Sequence, residues 1–66
     1  MMAELHRYMS AGQRVEMIYM DGHGRISKRI IQPYTIEGDL VKAYCLHRRA
    51  PRCFSVDHIL AVLPVQ

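Results

Sequence analysis

Chemistry in this chain is concentrated between Leu40 and Ile59, in the stretch LVKAYCLHRRAPRCFSVDHI. It holds Lys42, His47, Arg48, Arg49 and Arg52, interleaved with Tyr44 and Phe54 and flanked by Cys45 and Cys53. A guanidinium fork grips a phosphate or carboxylate through two parallel hydrogen bonds. Aromatic faces stack on bases of any sequence. Cations beside rings therefore suit a nucleotide or a single strand of nucleic acid. The same residues also fit an ordinary core under a solvated basic loop, and both readings stand at this point.

Two strands must position these groups. Leu40 to Leu46 is apolar apart from Lys42, and Arg52 to Val56 returns after a loop in which Pro51 marks the connection. A hairpin pivoting near Arg49 sets Cys45 opposite Cys53 and Tyr44 opposite Phe54. Because strand side chains alternate, Lys42, Tyr44 and Leu46 would then share a face with Arg52, Phe54 and Val56. A bridge between Cys45 and Cys53 is geometrically allowed in that register. In a cytosolic chain free thiols are the expectation.

Other chemistry finds less support. Cys45, His47, Cys53 and His58 match no standard zinc spacing, so no metal and no cofactor is expected. No paired carboxylates, no nucleophile with an oriented base and no glycine-rich phosphate loop appear, which argues against an enzyme.

Upstream, Met2 to Ala11 reads as a short helix with Leu5, Tyr8 and Met9 on one face and Gly12 as its stop. QRVEMIYM, 13–20, reads as a strand with Val15, Met17 and Tyr19 on one side. Asp21-Gly22-His23-Gly24 is a hairpin turn. Arg25 to Ile36 is a longer strand in which Pro33 forces a bend, a bulge or an edge. Arg29 interrupts its apolar run, so it must face water, an anion or an acid such as Glu37, Asp39 or Asp57. Asp57 is likewise the nearest acid for Arg52. Glu37-Gly38-Asp39 turns the chain into the hairpin, Ser55 to His58 is a brief turn, and 59–65 is a last apolar strand that Pro64 ends. One helix and five short strands predict a mostly β fold, a small SH3-like or Sm-like barrel whose closure removes unpaired edges.

Sixty-six residues allow a single domain spanning 1–66. A chain so short buries only about 60% of the surface it exposes unfolded. A longer host or self-association would add to its margin. The formal charge of +3 and the pI near 9.2 tilt partners toward anions. No run approaches the ~20 apolar residues of a membrane span, and MMAELHRYMSAG lacks the apolar centre of a signal peptide. Cytoplasm, with no membrane partner, is the expectation.

In order, the chain shows Val15-Glu16-Met17-Ile18-Tyr19, then Arg29-Ile30-Ile31-Gln32-Pro33, then Leu40-Val41-Lys42-Ala43-Tyr44-Cys45. Arg48-Arg49, Arg52-Cys53-Phe54 and Asp57-His58-Ile59 follow. This series resembles the WYL domain, whose pattern is a strand ending in Tyr, an Arg-x-x-x-Pro strand, Trp-Tyr-Leu-x-Ala-Tyr-Cys, a basic loop, Arg-x-Phe and Asp-Arg-Ile. The Trp-Tyr-Leu triplet falls on Asp39-Leu40-Val41, and Asp-Arg-Ile reads Asp57-His58-Ile59. Most relatives carry a helix-turn-helix, so the resemblance is to a reduced, stand-alone member. It implies a non-enzymatic, bacterial-type module that senses a nucleotide or short single-stranded nucleic acid in transcriptional regulation. Carried over by position, the ligand-binding residues are Tyr19, Arg29, Tyr44, Arg49 and Arg52. Lys42, His47 and Arg48 form a secondary basic set. The alternatives are a protein-interaction module that pairs with itself or with a longer regulator, and an Sm-like RNA-binding ring.

Overall fold

Local chemistry sets each boundary in the computed structural model, which describes residues 1–65. Helix α1, Met2–Ser10, ends in a Schellman motif. Gly12 takes a φ of 65°. Its N–H donates to the Met9 carbonyl at 3.1 Å, and the Gln13 N–H donates to the Tyr8 carbonyl at 2.8 Å. Nine residues are too few for a stable isolated helix, so α1 docks on the sheet through Leu5, which is fully buried.

Five strands follow: β1 Val15–Met20, β2 Ile26–Glu37, β3 Leu40–Cys45, β4 Ala50–Ser55 and β5 Ile59–Pro64. All pairings are antiparallel, in the order β4-β3-β2-β1-β5. The Asp21 carboxylate caps the first turn, accepting the N–H groups of His23 and Arg25 at 2.8 and 2.9 Å. Gly38, at φ 58°, opens the two-residue turn into β3. A one-turn 3-10 helix, Val56–His58, joins β4 to β5.

Strand β2 carries the architecture. Its first half pairs with β1 from Ile26 to Ile31, and its second half pairs with β3 from Ile31 to Glu37. Only Ile31 is paired on both sides. The register slips between Pro33 and Thr35, so of the bend, bulge or edge expected at the proline, a bulge is what forms. Pro33 lies beyond the end of β1, where its missing N–H removes no bond to that strand. Helix α1 packs on β2 and β5. Leu5, Val15, Met17, Ile31, Val41, Ala43, Phe54, Ile59 and Val62 form one core.

The sheet coils tightly without closing. Strands β1 and β4 stand three places apart in the order, about 14 Å if flat at ~4.8 Å per strand. Yet the Tyr19 and Phe54 rings are 5.1 Å apart. The Tyr19 hydroxyl also accepts the Ser55 N–H at 3.1 Å. Among the described residues no ladder joins β4 to β5, so the expected barrel is corrected to an open, curled sheet. Side chains, rather than backbone pairing, span the seam.

The hairpin register is a second correction. Tyr44 pairs with Pro51, Ala43 with Arg52, Lys42 with Cys53 and Val41 with Phe54. The turn is Leu46 to Arg49, and Arg49 closes it at φ 54°. Pro51 therefore lies inside β4 rather than in the connection. Relative to a pivot near Arg49 the pairing moves by three residues. An odd shift reverses which residues share a face. Cys45 is buried and Cys53 exposed, both are free thiols, and the 45–53 bridge is excluded by this register.

Candidate functional site

The inner face of the curl follows from the ladders. Tyr19 sits opposite Ser27 and Met17 opposite Arg29. Ile31 sits opposite Cys45, and Ala43 opposite Arg52. Arg52 and Phe54, two residues apart on β4, share that face. Tyr19, Arg29, Arg52 and Phe54 thus belong to one concave surface, contributed by three strands.

Arg29 is the centre of this surface. Its guanidinium carbon lies 5.7 Å from the Phe54 ring centroid. Its Nε donates to the Ser27 hydroxyl at 3.3 Å. The side chain is partly buried, yet the ion pairs among the described residues are Met1–Glu4, Lys28–Glu16 and Lys42–Glu37. Among the described residues neither Arg29 nor Arg52 meets an acid, so Glu37, Asp39 and Asp57 do not serve as structural partners. A cation held on a ring with unspent donors has the chemistry to take an anion.

Tyr19 is held from two sides. Phe54 meets it edge-on at an interplanar angle of 75°, and the His58 ring lies 6.0 Å away. Its hydroxyl accepts from Ser55, which leaves the hydroxyl proton free to donate. Tyr19→Phe should lower stability by about 1 kcal/mol, the cost of an unsatisfied, part-buried N–H. In thermal unfolding that is a fall of roughly 4–8 °C. An unchanged melting temperature would remove Tyr19 from the seam.

The other expected residues divide. Arg48 and His47 line a groove with Ser27, Lys28, Arg29 and Cys45. A second depression joins it along Lys28, Arg29 and His47 and adds Ile30 and Leu46. Arg49 is exposed at the hairpin tip in a left-handed conformation. Tyr44 and Lys42 lie on the outer face with Pro51 and Cys53, away from Phe54. This reverses the face expected for both. Lys42 pairs there with Glu37 at 3.3 Å. Sequence reasoning left two contributors out of the site, Ser27 as the hydrogen-bond partner of Arg29 and His58 beside Tyr19, and it set Phe54 on the face of Arg52 without placing it under Arg29. The Ser27-x-Arg29 alternation was the one available signal for Ser27. No group of metal-ligating side chains is assembled among the described residues.

A five-stranded antiparallel sheet with one N-terminal helix, curled around a basic and aromatic face, defines a small β module. The chain belongs to the WYL domain family, which matches residues 1–64. It is similar to the solved structure of proteasome accessory factor B/C (PafBC) of Arthrobacter aurescens, with a TM-score of 0.86 at 19% identity. The similarity spans 96% of this chain and 11% of that one. No curated protein matches the sequence. Among the described residues no helix is long and apolar enough to cross a membrane.

Proposed function

We propose that this chain is a ligand-sensing module of a transcriptional regulator and that it binds a nucleotide or a short single strand of nucleic acid on its concave face. The observation that carries this is Arg29: partly buried, seated on Phe54 and without a carboxylate partner among the described residues. Arg52 and Arg49 supply further phosphate contacts, and Tyr19 offers a ring edge and a hydroxyl.

A titration with an eight-nucleotide single strand tests the reading. Three phosphate contacts predict a log–log salt slope of about −2, at ~0.7 per contact on a single strand. Arg52→Ala should weaken binding and flatten that slope by roughly one contact. Affinity independent of salt would overturn the proposal.

A second reading rests on a separate observation. The outer face and β5 expose Ile26, Leu60 and Leu63 at 64%, 47% and 59%, and β4 and β5 are both free sheet ends. Such surface fits self-association, including a ring. Sedimentation with and without oligonucleotide separates the two readings.

A further inference from the structure

A stretch of β2 is a sheet edge even though β2 is third in the five-strand order. From Ile26 to Ile30 it pairs with β1 on one side only, because β3 pairs from Ile31 onward. The hairpin makes one last contact, the Leu46 N–H donating to the Ile30 carbonyl at 3.1 Å. This bond shows which way the Ile30 backbone points. Along a regular strand, N–H and C=O groups turn to alternate sides residue by residue, and β1 pairs this stretch without a bulge. Lys28 therefore turns its N–H and C=O to the same side as Ile30, where β3 has already ended. Among the described residues those two groups and the Ile30 N–H face the groove without a strand partner.

The walls of the groove select what would fill it. Lys28, Arg29, His47 and Arg48 line it, with Ile30 and Leu46 as apolar floor. The Lys28 side chain is 67% exposed, and among the described residues Glu16, 3.7 Å from its ammonium, is the one acid paired with it. A second copy is a poor occupant. Antiparallel pairing about Lys28 would set lysine against lysine and bring both Arg29 side chains onto one short ladder, and opposed like charges destabilise a sheet. An acidic strand reverses every one of these terms.

The geometry points to the Lys28–Ile30 edge as the docking site for an extended acidic peptide, added as a short strand between β2 and the β3–β4 hairpin. Main-chain bonds to Lys28 and Ile30 would supply affinity, and alternate carboxylates reaching Arg29 and Arg48 on one side and Lys28 on the other would supply specificity. This site is distinct from the concave nucleotide face except for Arg29, and it does not rest on that reading.

The probe is octaglutamate, which carries carboxylates on both faces of an extended strand, titrated into the whole chain and followed through the backbone amide resonances. The expected result is shifts concentrated at Lys28, Ile30 and Leu46. Two N-methylated versions carry the test, one blocking odd amides and one blocking even amides. Only one set faces β2 in a bound strand, so one version should lose at least tenfold in affinity and the other should bind like the parent. Equal binding by all three would mean charge attraction alone and would overturn the strand. Shifts confined to Arg52 and Phe54, or shifts at Lys28 and Ile30 with an octathymidylate but not with the peptide, would also overturn it. The second of these results would give the edge to nucleic acid.

Discussion

Arg29→Ala is expected to weaken binding of a short single strand by roughly 10- to 100-fold, the ~1.5–3 kcal/mol of hydrogen bonds from a charged group. The fold should survive it, because two effects on stability oppose each other. The substitution loses a cation–π contact of about 0.5–1 kcal/mol and the packing of the side-chain stem beside Met17. It also relieves a partly desolvated charge that has no acid to meet among the described residues. Melting should therefore move by only a few degrees while affinity collapses. Arg29→Lys should fall between, since an ammonium keeps the charge but cannot make two parallel bonds. Fluorescence anisotropy on a labelled strand, run beside thermal unfolding, reads both quantities. A folded Arg29→Ala protein that binds like the parent would leave the concave face without its central donor and the proposal without its support.

The order of elements was legible because glycine and proline mark it. Gly12, Gly24 and Gly38 all take positive φ, and each falls where the residue pattern changes. The bulge at Pro33 follows from a proline with no N–H to give. The inner faces of β1 and β2 follow from alternation alone. The hairpin register did not follow, because its turn is closed by Arg49 in a conformation that a non-glycine residue rarely takes. Composition gives no hint of that choice, and an arginine at the site of a glycine's work looks like an ordinary loop residue. Pro51 compounded the error: on an edge strand it is tolerated inside the pairing. From that single turn came the wrong faces for Tyr44 and Lys42 and the wrong opposition of the two cysteines. The open seam was illegible for a different reason. Whether a curled sheet closes depends on strand stagger, and here the bulge at Leu60, between the Ile18–Ala61 and Tyr19–Ile59 pairs, changes the stagger of β5 with no proline or glycine to announce it. The family pattern names Arg29 and Tyr19 as candidates, but the ring that holds Arg29 follows only from the curl that brings β4 over β1.

The largest structural effect is expected from a residue far from these cations. Leu5→Ala should cost about 2–5 kcal/mol, the range for emptying a buried leucine site. A core this small supplies only about 3–5 kcal/mol of net stability, so the variant should be largely unfolded at 37 °C. Leu5 is the one fully buried side chain of α1, and it packs in the same core as Val15, Ile31 and Val62. The helix is therefore either an integral wall of the core or a lid that can lift alone, and the variant distinguishes the two. If α1 is a wall, helical signal and the amide protection of Met17, Ile31 and Val41 vanish together in one cooperative transition. If it is a lid, helical signal falls while those amides stay protected and oligonucleotide binding persists, because Tyr19, Arg29 and Phe54 hold one another without it. The first outcome is expected. Ile31, the one residue through which β2 is paired on both sides, lies in the core that Leu5 helps to fill, so undocking the helix would loosen the point where the two halves of the sheet meet.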